Sequence, residues 1–224
     1  MKPVLLLLPG MDGTGELFAP FVAALDGEFD VRIVTYPGEH CGGYTELEAI
    51  ARAAVPLDRP YVLLGESFSG PIAIAIAAAA PGQLRGLILC STFARNPRPA
   101  LAALKPLISF APVKALPAGM LVGPAMRAAF KRSLRQVTAS ALRARLRNVL
   151  AVDACDLLKA CEAPILYLQA KRDWLVPRAA GNLIAQIKPA TKVEVFDTSH
   201  FLLQMAPHQA AREVAAFVRL NALR

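Results

Sequence analysis

Short apolar runs without clean polar alternation recur through the first 94 residues, and they constrain the fold more than any other feature. Residues 4–8 (Val-Leu-Leu-Leu-Leu), 31–35, 61–64 and 87–91 are such runs. A strand that is apolar on both faces belongs in a sheet covered on both sides, which is the habit of parallel sheets. Between the runs the pattern shifts to a helical period. Residues 15–25 place Leu17, Phe18, Phe21, Val22 and Leu25 on one face, residues 45–54 follow the Gly42-Gly43 break, and residues 68–80 have the composition of a buried helix. After Cys161 the alternation resumes, with strands at 164–168 and 192–196 and helices at 178–187 and 208–220. The expectation is an α/β fold: a mostly parallel six-stranded sheet with helices on both faces. A chain of 224 residues suits one domain spanning residues 1–224.

Residues 95–160 interrupt this rhythm. They show no strand pattern, begin proline-rich and become helical over 124–150, so they read as a helical cap inserted over the sheet's carboxyl edge. The segment is also electrically one-sided. Residues 95–152 hold eleven Lys and Arg and no Asp or Glu, although the whole chain has 25 basic and 17 acidic residues. Such a face suits an anionic partner, an acidic membrane surface or plain solvation. Nucleic acid is not expected, because no aromatic residues interleave the charges and no binding motif accompanies them.

The N-terminal run ends at Pro9-Gly10 with no small-residue cleavage site, so it reads as a first core strand rather than a secretory leader. Cys41, Cys90, Cys155 and Cys161 match no zinc or redox spacing, and no metal or cofactor is called for. A reduced, cytoplasmic setting is the expectation, with a Cys155–Cys161 pair as the alternative.

Directly after the apolar run at 61–64 comes Gly65-Glu66-Ser67-Phe68-Ser69-Gly70, then Pro71 and an apolar stretch. Strand, G-x-S-x-G, helix is the setting in which a serine hydroxyl is lifted above a sheet edge as a nucleophile. Such a serine needs a base, an acid to orient the base, and donors for an oxyanion. His200 follows the last strand and is the expected base. His208 lies at a helix start, and His40 also follows a strand, so position alone does not remove His40. Asp173 follows the fifth strand and is the expected acid. Asp197 is its rival, but lies so near His200 that bracing the loop suits it better. The backbone N–H of Phe68 and that of Met11, in the loop Pro9-Gly10-Met11-Asp12-Gly13-Thr14-Gly15, are the expected oxyanion donors.

Taken together, Leu8-Pro9-Gly10-Met11-Asp12-Gly13-Thr14-Gly15, Gly65-Glu66-Ser67-Phe68-Ser69-Gly70, Asp173 before Val176-Pro177, and Ser199-His200-Phe201 resemble the α/β-hydrolase superfamily over nearly the whole chain. The first two motifs are similar to a bacterial esterase/lipase-like branch and to the hydrolase-like part of plant phytyl ester synthases. The resemblance implies Ser67 as nucleophile, His200 as base, Asp173 as acid, Met11 and Phe68 as oxyanion donors, and residues 95–160 as the cap. It departs at Pro9, where many members carry histidine, and at the N-terminus, where the family's first two strands are missing. The implied activity is hydrolysis of a carboxylic ester, on a small molecule or an acyl carrier, through an acyl-enzyme. Two further readings fit the same parts: transfer of the acyl group to an alcohol, and a non-catalytic binding protein on a hydrolase scaffold. Leu107, Ile108, Phe110, Leu116, Met120 and Phe130, with Trp174 as a substrate contact, suggest an apolar acyl pocket, and packing of the cap onto the core fits them equally.

Overall fold

A computed structural model describes residues 2–79, 82–114 and 124–221. In chain order it contains β1 (Val4–Leu8), α1 (Ala19–Ala24), β2 (Asp30–Ile33), α2 (Tyr44–Ala53), β3 (Tyr61–Glu66), α3 (Gly70–Ala78) and β4 (Leu84–Cys90). There follow α4 (Pro124–Arg135), α5 (Ala139–Ala151), α6 (Cys155–Ala160), β5 (Ile165–Ala170), α7 (Arg178–Ile187), β6 (Lys192–Phe196), α8 (Leu202–Met205) and α9 (Pro207–Asn221). Three 3-10 helices, Glu16–Phe18, Ser67–Ser69 and Pro99–Phe110, complete the described elements.

The six strands form one sheet in the order β2-β1-β3-β4-β5-β6. Every pairing is parallel, so the sheet expected to be mostly parallel is wholly so. The apolar runs explain it. Along β1, Val4, Leu6 and Leu8 enter one core with Leu47, Ile72, Leu158 and Ile184, contributed by α2, α3, α6 and α7. Leu5 and Leu7 enter the other with Phe21, Leu203 and Val214, from α1, α8 and α9. Both faces of β1, β3 and β5 and most of β4 are thus buried, which is why these strands do not alternate, whereas the edge strands β2 and β6 are half-buried or exposed along most of their length.

Register decides where the chemistry sits. Leu8 lies opposite Gly65, Glu66 opposite Cys90, and Ala170 opposite Phe196. The strands therefore end together, and the loops after β1, β3, β5 and β6 share one edge. That edge is where open α/β sheets bind ligands.

The stretch between β4 and β5 adds no strand among its described residues. Its two ends are tied by an isolated bridge of Arg95 with Asp153, and by Asn96 N–H to Val152 O and Ala154 N–H to Ala94 O. β4 begins at Leu84, three residues before the expected run, and the stretch expected to be helical over 124–150 divides into α4 and α5; two helix openings also differ from expectation. The helix expected over 15–25 opens as a 3-10 turn before α1, and that expected over 68–80 opens as one before α3, with Ala80 outside the described residues. Leu116 and Met120 also lie outside them. Among the described residues no helix is long and apolar enough to cross a membrane. All four cysteines are free, Cys155 and Cys161 included.

Candidate active site

The turn after β3 is built by close approach. A Cβ on Gly65 would lie 2.7 Å from Ala73 Cβ, and one on Gly70 would lie 1.9 Å from Thr92 Oγ1. Only glycine lets the start of α3 come this near β3 and β4. The tight crossing puts Ser67 at φ 49°, a left-handed conformation that costs a non-glycine residue about 1–3 kcal/mol. Thr92 Oγ1 donates to Ser67 O, Tyr44 Oη donates to Phe68 O at 3.0 Å, and Ser69 Oγ donates to Pro9 O. These bonds offset the strain. Among residues 61–70 only Ser67 is not buried.

Two loops bring the partners to it. Lys171 N–H donates to Phe196 O and Arg172 N–H to Thr198 O, so the segments after β5 and β6 zip together. Asp173 and His200 then meet. His200 Nδ1 lies 2.7 Å from Asp173 Oδ2, and His200 Nε2 lies 2.8 Å from Ser67 Oγ. Asp173 Oδ1 accepts the N–H groups of Leu175 and Val176, so the turn-capping role of this aspartate and its contact with His200 coexist on its two oxygens. The Asp173 side chain is 1% exposed and that of His200 10%. The His200 ring meets Phe201 edge-on, and Phe201 meets Phe130 of α4 edge-on at 5.3 Å. The inserted helices thus pack directly against the histidine loop.

The structure brings together Ser67, His200 and Asp173 and leaves the other candidates apart. Asp197 pairs with Arg172 and braces the loop. His208 is exposed on α9, and His40 has its buried Nε2 without a partner among the described residues. Trp174 adjoins Asp173, but its side chain is 77% exposed. Of the apolar insertion residues, Ile108 and Phe130 point inward, whereas Leu107 and Phe110 are exposed.

The loop after β1 lies beside the elbow. Gly13 N–H donates to Gly10 O at 3.0 Å, closing a turn around Met11, and no described hydrogen bond takes up the Met11 N–H. Two carboxylates sit here, Asp12 accepting from Thr14 and Glu66 accepting from Gln204 Nε2. Sequence reasoning missed Glu66, Gln204, Ser69, Tyr44 and Arg145 as parts of this site, because their roles depend on which side chains the fold buries together. Among the described residues no group of three or more His, Cys, Asp or Glu could hold a metal ion.

A reachable hydroxyl bonded to an imidazole that is oriented by a buried carboxylate can be deprotonated as it attacks an electrophilic carbon. The profile of the alpha/beta hydrolase family matches residues 5–217, and the chain belongs to that family. It is 34% identical over 116 residues to Phytyl ester synthase 1, chloroplastic, of Arabidopsis thaliana. That match spans 49% of this chain and 16% of the length of the relative. Among solved structures, a lipase-esterase related protein from Clostridium acetobutylicum ATCC 824 aligns at TM-score 0.84 and 16% identity, over 96% of this chain and 94% of that one. The enol-lactonase from Burkholderia xenovorans LB400 aligns at TM-score 0.77 and 18% identity, over 98% and 92%. At such identities the structures speak for the fold.

Proposed function

We propose that this chain is a serine hydrolase that cleaves carboxylic esters through an acyl-enzyme. The observation that carries the reading is the hydrogen-bonded series from Ser67 Oγ through His200 to the buried Asp173, with Ser67 held on a strained turn. Family membership supports it.

His200 Nε2 takes the Ser67 proton as Oγ attacks the ester carbonyl. Asp173 holds the Nδ1–H tautomer and stabilises the imidazolium. The Met11 and Phe68 N–H groups receive the oxyanion, each worth roughly 3 kcal/mol to the transition state. His200 then protonates the leaving alcohol, and in the second half activates water against the acyl-serine. A cytoplasmic setting with reduced cysteines belongs to the same reading.

Ser67→Ala is expected to lower kcat on a simple aryl ester by roughly 10⁴-fold or more while the far-ultraviolet circular dichroism stays native. Retained turnover in a folded Ser67→Ala protein would sink the proposal. A second reading, transfer of the acyl group to an alcohol, draws on the match to Phytyl ester synthase 1. Chromatography of products formed with an added long-chain alcohol separates the two, since transfer gives a new ester and hydrolysis gives only acid.

A further inference from the structure

Eleven cations in one segment suggest a solvated basic face, yet one of them is nowhere near solvent. Arg145 on α5 is fully buried, the largest side chain among the described residues to be so. Taking a guanidinium out of water costs several kcal/mol unless its donors are satisfied. Here Nη1 donates to Met11 O at 2.8 Å and to Asp12 O at 3.0 Å, and Nη2 donates to Pro37 O at 2.9 Å, while the buried Nε has no partner among the described residues. The Tyr36 ring lies 5.9 Å from Cζ. The loop is shaped for this group. Gly13 has φ 71°, and a Cβ there would stand 2.7 Å from Arg145 Nη1.

The contact falls on the peptides that aim the Met11 N–H. The peptide before Met11 is fixed through Gly10 O, which accepts from Gly13 N–H. The peptide after it is fixed through Met11 O by Arg145. The Met11 N–H shares its plane with Gly10 O, and the Gly13 N–H that holds Gly10 O shares its plane with Asp12 O, which Arg145 also holds, so the guanidinium fixes the direction of the Met11 N–H through this turn. The geometry points to Arg145 as a positioning residue: from the inserted helix it locks the loop after β1, so that the Met11 N–H faces the carbonyl oxygen of a bound ester. This rests on the serine-esterase reading. It makes activity depend on the seating of α5, a helix that touches none of the reacting atoms.

The test compares Arg145→Met, Arg145→Lys and Arg143→Ala in the full chain, reading kcat and KM on an aryl ester and amide hydrogen exchange of residues 9–16 and 61–70. Arg143 lies on the same helix but donates to Ala111 O instead, so its variant is the control. Arg145→Met is expected to lower kcat roughly 10- to 100-fold, part of the value of one oxyanion donor, with KM within about threefold. Exchange at 9–16 should quicken while 61–70 keeps its protection. Arg145→Lys, which retains donors, should recover part of both. If Arg145→Met does not fold, Arg145→Gln carries the same two readouts. Wild-type kcat with unchanged exchange at 9–16 overturns the proposal. So does faster exchange spread evenly over the chain, which would make Arg145 a general anchor. A wild-type protein that cleaves no ester sinks the esterase reading instead, and exchange at 9–16 still decides whether Arg145 holds the loop.

Discussion

Glu66 precedes Ser67 and is 6% exposed. Burial pushes its carboxyl up to about 7; the Gln204 hydrogen bond opposes the rise, Asp12 adds to it, and His200 and the Gly10 N–H oppose it. A carboxyl raised in the folded state binds a proton more tightly there than in the unfolded chain. Its contribution to stability is complete below the ordinary carboxylate range and is lost as pH rises through about 7. The loss is on the order of 3 kcal/mol. Glu66→Gln keeps the shape without the charge, so the variant should match the wild type near pH 5 and exceed its stability near pH 8. Urea unfolding at the two values measures this, and parallel curves for both proteins would refute it. Ser67, His200 and Asp173 were legible in the sequence because few residue types can do their chemistry and each follows a strand. Glu66 and Arg145 were not, because a charge count says nothing of depth. Arg145 reads as one more surface cation until the fold places three carbonyls around it.

At the scale of elements, hydrophobic period located all six strands, five of them to within two residues and β4 three residues late at its start, and most of the helices. It missed what depends on fine backbone geometry. A single turn of 3-10 helix and one of α-helix carry nearly the same apolar spacing, so the openings at Glu16–Phe18 and Ser67–Ser69 were invisible. The proline-rich start of the insertion carried no helix signal, yet Pro99–Phe110 form a 3-10 helix with Pro106 inside it. The entry to α5 was not legible: residues 124–150 read as one helical stretch, which the structure divides between Arg135 and Ala139. Thr138 Oγ1 accepts the Ala141 N–H, and the Thr138 N–H reaches across to Gly38 O. The first bond is an N-cap, and Thr138→Ala should destabilise the protein by about 1 kcal/mol, with Thr138→Ser recovering most of it. The shift in urea midpoint at unchanged slope checks this. A neutral Thr138→Ala would mean that packing of Ala141 and Leu142, rather than the cap, sets where α5 begins.

At the scale of the whole molecule, the fold sorts the cations that the sequence could only count. Arg145 is buried, Arg132 pairs with Glu16, and Arg143 and Arg147 donate to Ala111 O and Ser109 Oγ. Lys105, Lys114, Lys131 and Arg135 remain exposed on the insertion, and α4, which carries the last two, packs through Phe130 on Phe201 beside His200. We propose that this face draws an anionic ester, free or on an acidic carrier, toward the serine. Attraction of this kind acts through solvent and is screened by salt. Between about 20 and about 300 mM salt the Debye length falls from roughly 20 to roughly 6 Å. Over that range kcat/KM for an ester bearing a carboxylate should drop several-fold, while that for a neutral ester of the same size stays level. The double variant Lys131→Glu, Arg135→Glu should flatten the first curve and leave the second alone. Both residues are exposed on α4, off the line of Phe130, so a folded variant isolates the field from the packing. Equal salt sensitivity for both esters would assign the charge to solubility instead of to substrate capture.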